Sequence, residues 1–315
     1  MKRLKNPSPI PASDTNPTPA RRHSIFDLQR TLSTTVRGQL DVVTVLSGSV
    51  QSRELNVVPQ RGAKGAYIFA GPTGVGKTLL ASTLAITLSE EPGFARFDCS
   101  EFKTLEGYDR LFGNRQGDVG LLGQCYRQVP KGIWLFDEIE KAHPEFVQLF
   151  LQGVDAARLR LANGEVLDLS GIYFILTTNL GCAEIIGRKH LPFTSLEKHV
   201  IRSIERWMRP ELRGRFSKPL VFRPLTRETQ CEIADMHLDA IVQHNAEQGR
   251  TISVDEGVGE FLIQRGYSPR LGARDLVRTI DELVGAAIRD SLLSGGNGAG
   301  KLMVQGDGLA LVPDL

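Results

Sequence analysis

Gly71-Pro72-Thr73-Gly74-Val75-Gly76-Lys77-Thr78 fits the pattern G-x-x-x-x-G-K-[ST] in full, and its flanks have the form this pattern requires. Ahead of it, Ala66-Tyr67-Ile68-Phe69-Ala70 reads as a short buried strand. Behind it, residues 78–88 read as a helix carrying Leu79, Leu80, Leu84, Ile86 and Leu88. Three glycines keep the loop clear of side chains, so backbone N–H groups can turn inward around phosphate oxygens. The positive end of the following helix adds to that field. Lys77 is expected to reach the β- and γ-phosphates, and the Thr78 hydroxyl to ligate Mg²⁺. The plain alternative is a Gly-rich strand-to-helix turn that fits by chance, and the full match between strand and helix weighs against it. These eight residues predict a site for ATP or GTP.

The same alternation continues outward. Residues 66–70, 95–99, 133–136, 172–177 and 220–222 are short apolar runs separated by helix-like stretches. This predicts an α/β fold with a five-stranded parallel sheet, wound on both faces, whose phosphate site lies at the carboxyl ends of the strands. After Pro224 the texture turns helical. Residues 226–244 align Cys231, Ala234, Leu238 and Ile241, and residues 274–293 align Leu276, Ile280, Val284 and Ile288. A hairpin of residues 301–304 and 309–312 around Gly306-Asp307-Gly308 closes the chain. Three parts are expected: a tail over 1–24, a large nucleotide-binding α/β domain over 25–223, and a smaller, mostly helical domain over 224–315. The tail holds Pro7, Pro9, Pro11, Pro17 and Pro19 with Lys2, Arg3, Lys5, Arg21 and Arg22. It has too little apolar surface to bury and is expected to be disordered.

Composition removes several classes. A net charge of +2 gives no global case for nucleic acid or an anionic membrane surface. No apolar run approaches the ~20 residues that span a bilayer, and the tail lacks the apolar segment of a secretory signal. Cys99, Cys125, Cys182 and Cys231 are far apart and form no C-x-x-C pair, which argues against zinc and disulfides and suits a reducing cytoplasm. Cys99 and Cys231 lie in apolar-patterned segments and read as small core residues.

A phosphate cradle hydrolyses nothing alone. It needs a carboxylate to organise Mg²⁺ and a group to orient water. Ile133-Trp134-Leu135-Phe136-Asp137-Glu138 offers both at the end of a buried strand: Asp137 to hold Mg²⁺ through its water shell, Glu138 to polarise the attacking water. Adjacent acids at a strand end can also be plain solvated charge. After a P-loop at this separation, the catalytic reading is favoured.

Further segments join these motifs: Val36-Arg37-Gly38-Gln39, Asp98-Cys99-Ser100-Glu101-Phe102, Asp137-Glu138-Ile139-Glu140-Lys141-Ala142-His143-Pro144, Thr177-Thr178-Asn179-Leu180-Gly181, Arg209-Pro210-Glu211-Leu212 and Gly272-Ala273-Arg274. In this order the chain resembles the Clp-type AAA+ unfoldases, and within them the second ATPase module of ClpA and ClpB, over about residues 35–312. The resemblance implies a Mg²⁺-dependent ATPase that forms a homo-hexamer and remodels or unfolds a protein partner. It implies that Asn179 is sensor 1, beside the attacking water, and that Arg274 is sensor 2, contacting the γ-phosphate. Arg215 aligns with the arginine finger that enters a neighbouring subunit's site; Gly214 and Phe216 depart from the family there, and Arg213 is the alternative finger. His143 has no metal partner or nucleophile in view and is read as structural. Residues 158–160 and 165–167 flank Asn163-Gly164 as a two-residue hairpin, either a secondary pore loop or a plain exposed hairpin.

The chain departs from the family at the substrate grip. Gly117-Asp118-Val119-Gly120 stands where Clp unfoldases carry an aromatic pore residue. A carboxylate cannot act as a flat apolar paddle, and Tyr108 and Phe112 are the nearby aromatics that would have to replace it. Ile185-Ile186-Gly187 only faintly echoes the loop that docks such ATPases on a peptidase, so no peptidase partner is expected. Two further readings stand beside the remodelling ATPase: a nucleotide-gated assembly factor or scaffold that does not thread polypeptide, and a DNA-handling AAA+ protein, which near-neutral charge and the lack of a DNA-binding motif disfavour.

Overall fold

Short runs rich in β-branched and aromatic residues set the architecture of this computed structural model, which describes residues 24–57, 59–60, 62–88, 93–114, 116–187 and 191–313. The tail expected over 1–24 lies outside the described residues except for Ser24. Helices α1 (Leu28–Thr35) and α2 (Leu40–Glu54) precede β1 (Gly65–Ala70), and α3 (Lys77–Leu88) leads to β2 (Phe94–Asp98). Then follow α4 (Leu105–Phe112), α5 (Gly120–Gln128), β3 (Gly132–Asp137) and α6 (Pro144–Ala156). The short strands β4 (Arg158–Arg160) and β5 (Val166–Asp168) come before β6 (Ile172–Thr178), α7 (Cys182–Gly187), α8 (Phe193–Trp207), α9 (Pro210–Arg213) and β7 (Leu220–Val221). The remainder is α10 (Arg227–Glu247), β8 (Ile252–Val254), α11 (Glu256–Gly266), α12 (Ala273–Leu293), β9 (Gly300–Gln305) and β10 (Gly308–Val312).

The five expected strands form one parallel sheet in the order β2-β3-β6-β1-β7. Because side chains alternate along a strand, the sheet sends Tyr67, Phe69, Ile133, Leu135, Tyr173 and Ile175 into one apolar cluster. Ala66, Ile68, Trp134, Phe136, Phe174 and Leu176 enter another on the opposite face. Under β2, β3 and β6 the second cluster is aromatic. Phe97 stacks on Phe136 with centroids 4.7 Å apart, and Trp134 meets Phe174 edge-on at 6.0 Å. Each such pair adds about 0.5–1.5 kcal/mol beyond area burial, which fixes the strand that ends in Asp137.

The first cluster continues through Leu225 and Ile233 into Leu262, Leu276, Ile280 and Leu302, so the C-terminal helices share apolar packing with one face of the sheet. In α3, Leu80, Leu84 and Leu88 point inward with Ala81 and Ala85. Leu79 and Ile86, the other apolar residues of this helix, are 45% and 65% exposed. The helical period puts them on the opposite side.

Two local expectations need correction. The C-terminal region is not helices plus a hairpin alone, because β8 pairs in parallel with β9 to give a three-stranded sheet, β10-β9-β8. The connection of β4 to β5 is longer than two residues. The Leu161 N–H donates to the Glu165 carbonyl at 2.8 Å, Gly164 takes φ 91° and Asn163 Oδ1 accepts from the Glu165 N–H. Residues 162–164 therefore form a three-residue turn with a left-handed glycine. No helix among the described residues is long and apolar enough to cross a membrane.

Candidate functional site

Parallel register brings the quoted motifs to one sheet edge. Ala70 pairs with Thr178 and Asp98 with Asp137, so the loop after β1, the acids ending β3 and Asn179 after β6 emerge side by side. A cleft of about 430 Å³ lies there, lined by Thr73, Gly74, Gly76, Lys77, Thr78, Asp137, Glu138, Asn179 and Arg274 together with Arg96, Asp98 and Thr177. The structure thus gathers the P-loop, the acidic pair, Asn179 and Arg274 from segments far apart in sequence.

The loop is pinned from several sides. Gly71, Pro72 and Val75 are buried. Gln39 reaches across to receive the Arg223 N–H on Oε1 at 2.9 Å and to donate through Nε2 to the Arg223 and Val75 carbonyls at 2.9 and 3.4 Å. This gives the Val36-Arg37-Gly38-Gln39 segment a physical task that its spacing did not disclose. Lys77 is buried, and its ammonium donates to the Pro72 carbonyl at 2.8 Å and to Asn179 Oδ1 at 2.9 Å, with the Gly71 carbonyl a third acceptor. Burial pulls it down to about 8, with Cys182, Asp137, Glu140 and Glu138 opposing only in part. A poorly solvated cation in such a place gains from an incoming anion.

At the end of β3, Thr177 Oγ1 donates to Asp137 Oδ1 and accepts from the Glu138 N–H at 3.0 Å. Glu138 has φ 56° and ψ 52°, a left-handed conformation that is costly for a residue with a Cβ and common where function holds it. Its Oε1 accepts from Asn179 Nδ2 at 3.2 Å, and its Oε2 pairs with Lys141. The Asn179 N–H in turn donates to Glu140 Oε1 at 3.0 Å. Lys77, Asn179 and Glu138 therefore form one continuous chain of contacts. Sequence reading missed Gln39, Thr177 and Arg96. Only strand alternation signalled Arg96, which stands two residues before Asp98 on β2.

The P-loop also touches the start of α12. The Ala273 N–H donates to the Gly74 carbonyl at 3.0 Å. Gly272 has φ 62°, and a Cβ on it would lie 2.6 Å from the Thr73 carbonyl oxygen. Gly272→Ala is expected to lower stability by about 1–3 kcal/mol and to weaken nucleotide binding, because the strained residue must push the P-loop away. Thermal melts with and without nucleotide check this, and an unchanged melting temperature in both would show that the contact is dispensable.

Several expected residues lie elsewhere. Arg215 is exposed and pairs with Asp155 at 2.5 Å. It belongs to a separate open cleft with Arg158, Arg160 and Glu211. Arg213 is tied back to the Met208 carbonyl at 3.2 Å and to that of Glu205. His143 caps α6, its ring nitrogen accepting from the Glu145 N–H, a structural use. Phe112 is buried in the aromatic cluster and so cannot serve as an exposed grip, and the Tyr108 side chain lies outside the described residues. Asp118 is exposed. Its Oδ1 accepts from the Gly120 N–H at 2.9 Å, placing a carboxylate at the start of α5, where the helix dipole favours it. Ile185 is buried, which takes it off the surface a docking loop would use. Cys99 is buried and its thiol is pushed up by that burial; Cys231 is half-buried against the first cluster.

A family model described as AAA domain (Cdc48 subfamily) matches residues 63–218. A second, described as the C-terminal, D2-small domain of ClpB protein, matches residues 225–303. The ATP-binding subunit ClpC of an ATP-dependent Clp protease from Staphylococcus saprophyticus is 33% identical over 307 residues, covering 93% of this chain and 37% of the relative. The chaperone protein ClpB of Meiothermus ruber is 32% identical over 295 residues, covering 91% and 34%. A closed-state cryo-EM reconstruction of Hsp104 with ATPγS and FITC casein matches at a TM-score of 0.83 and 28% identity, covering 94% of this chain and 52% of that one. The chain spans about a third of the length of the curated relatives it matches.

Proposed function

We infer the function from one premise: the chain belongs to the Clp-type AAA+ ATPase family. It binds and hydrolyses ATP with Mg²⁺, assembles as a homo-hexamer and uses turnover to remodel or unfold a protein partner in the cytoplasm. The observation that carries this reading is the single cleft that joins Lys77 and Thr78 to Asp137, Glu138, Asn179 and Arg274. Residues 25–223 act as the large nucleotide-binding domain and 224–315 as the small one, with Ala273 N–H to Gly74 carbonyl as a direct link between them.

The residues fit a hard divalent cation. The Thr78 hydroxyl and the Asp137 carboxylate are oxygen donors on the same cleft, and among the described residues there is no cage of three or more His, Cys, Asp or Glu. Mg²⁺ suits such a site, since it uses one or two protein oxygens, phosphates and waters. When bound it neutralises charge developing on the β- and γ-phosphate oxygens. The P-loop amides of residues 71–78 hold the phosphates, and Lys77 turns from carbonyl acceptors toward them. Glu138 accepts the proton of the attacking water, and Asn179, already donating to Glu138 Oε1, orients that water. Arg274 at the first turn of α12 meets the γ-phosphate and transmits its loss to the helix. Arg215, outside its own cleft, acts on a neighbour's.

A scaffold that changes shape with nucleotide but does not thread polypeptide is the second reading. Asp118 favours it, because it puts a capped carboxylate at the position of the grip. No peptidase partner is proposed. Purified protein is tested for Mg²⁺-dependent ATP hydrolysis and for ATP-driven unfolding of a tagged, stably folded substrate. Absent hydrolysis overturns the remodelling ATPase, and absent nucleotide binding overturns both readings. Unfolding that survives Asp118→Ala overturns the scaffold, whereas hydrolysis without unfolding supports it.

A further inference from the structure

The acidic wall of the cleft carries a cation with no assigned role. Arg96 and Asp98 lie two apart on the edge strand β2, so alternation puts both on one face. Register pairs Asp98 with Asp137, so their backbones lie about 4.8 Å apart by strand spacing, and both residues line the cleft. Glu138 follows immediately. Like charges on neighbouring strand ends repel one another and favour a nearby cation.

Arg96 answers that field. Its Nη2 lies 2.6 Å from Asp137 Oδ2, while Thr177 Oγ1 holds Oδ1. Groups of the chain itself thus engage both oxygens of the carboxylate. The Asp137 side chain is 13% exposed and that of Arg96 49%, so the acid is fixed in the wall and the guanidinium reaches over it from the solvent side. An ordinary strand-edge ion pair is the plain alternative, but this one closes on a carboxylate that lines the cleft beside the P-loop.

We propose that Arg96 is a competing counter-ion at Asp137, which keeps a bare divalent cation out of the nucleotide-free cleft so that metal enters together with the nucleotide phosphates. The proposal rests on the reading of Asp137 as the residue that organises Mg²⁺. The energetics suit a gate. A half-exposed pair is weak enough to yield when phosphates bring their own charge. A charge-assisted hydrogen bond to a partly buried acid is still strong enough to shift bare-cation affinity about three- to tenfold.

Titration of the full chain with Mn²⁺, followed by EPR without nucleotide, reads the site directly. A fluorescent ATP analogue titrated at several Mg²⁺ concentrations reads nucleotide binding. Arg96→Gln is expected to bind bare Mn²⁺ about three- to tenfold more tightly than wild type and to need less Mg²⁺ for half-maximal nucleotide binding. Arg96→Lys should fall between the two, and adding Asp137→Asn to Arg96→Gln should abolish the gain. Arg274→Gln removes a charge from the same cleft without touching Asp137 and is expected to leave bare Mn²⁺ affinity unchanged. If Arg96→Gln binds Mn²⁺ no more tightly while both proteins still bind nucleotide, the gate is overturned and the nucleotide site stands. Equal tightening in Arg274→Gln overturns it in favour of a general field. Wild-type protein that binds no nucleotide in Mg²⁺ overturns the site reading and the gate together. Where Arg96→Gln does not fold, Arg96→Lys alone must tighten Mn²⁺ binding for the gate to hold.

Discussion

Glu138→Gln is expected to lower ATP turnover by about 10²–10⁴-fold, the contribution of a positioned general base, with nucleotide still bound. Glutamine keeps the length and shape of the side chain, and its carbonyl oxygen can still accept from Asn179 Nδ2, as Glu138 Oε1 does. It cannot take a proton from water. The Glu138 backbone is held left-handed at φ 56° through its N–H bond to Thr177 Oγ1, and that bond involves no carboxylate, so the local fold should persist. Phosphate release under single-turnover conditions measures the chemistry, and titration with a fluorescent nucleotide measures binding. A variant that turns over at the wild-type rate would remove Glu138 from the mechanism. Glu140 would then be the next base to test, since its Oε1 accepts from the Asn179 N–H and its Oε2 is buried without a hydrogen-bond partner among the described residues.

The convergence of the candidate residues on one cleft was legible in the sequence because they sit where strands end. A parallel sheet brings all carboxyl ends to one edge, so Lys77, Asp137 and Asn179 had to converge once their strands were identified. Side-chain partners across strands were another matter. Arg96 reads as an exposed charge on an edge strand, and only the register of β2 against β3 turns it toward Asp137. Gln39 likewise reads as one polar residue in a loop, although it ties the P-loop to Arg223, two residues after β7. Burial decided other cases. Phe112 and Ile185 are apolar residues in suggestive motifs, and packing takes both inside. The strand β8 has three residues, too few for a period to show. It exists because β9 offers it a free edge.

Arg215→Ala is expected to reduce hydrolysis about 10³-fold or more, the effect of withdrawing an arginine finger, without weakening nucleotide binding in the altered chain's own cleft. The reason is placement. Arg215 is exposed and paired with Asp155 on a surface that shares no lining residue with the nucleotide cleft. If it acts on phosphate, it acts on that of a neighbouring copy. Lys77→Ala has the opposite defect: it spoils its own cleft but still presents Arg215. Each variant alone should be nearly inactive, and a mixture should regain activity at those interfaces where an intact cleft of one chain meets an intact Arg215 of the other. Recovery requires subunit exchange, so it should disappear when the two proteins are cross-linked before mixing. Arg213 provides the control, because its guanidinium is occupied by the Met208 and Glu205 carbonyls. Loss of activity in Arg213→Ala, with Arg215→Ala silent, would move the finger to Arg213. If both variants stay fully active, hydrolysis is completed within one chain, and the cations left to stabilise charge at the phosphates are Lys77, Arg96 and Arg274, which line the same cleft.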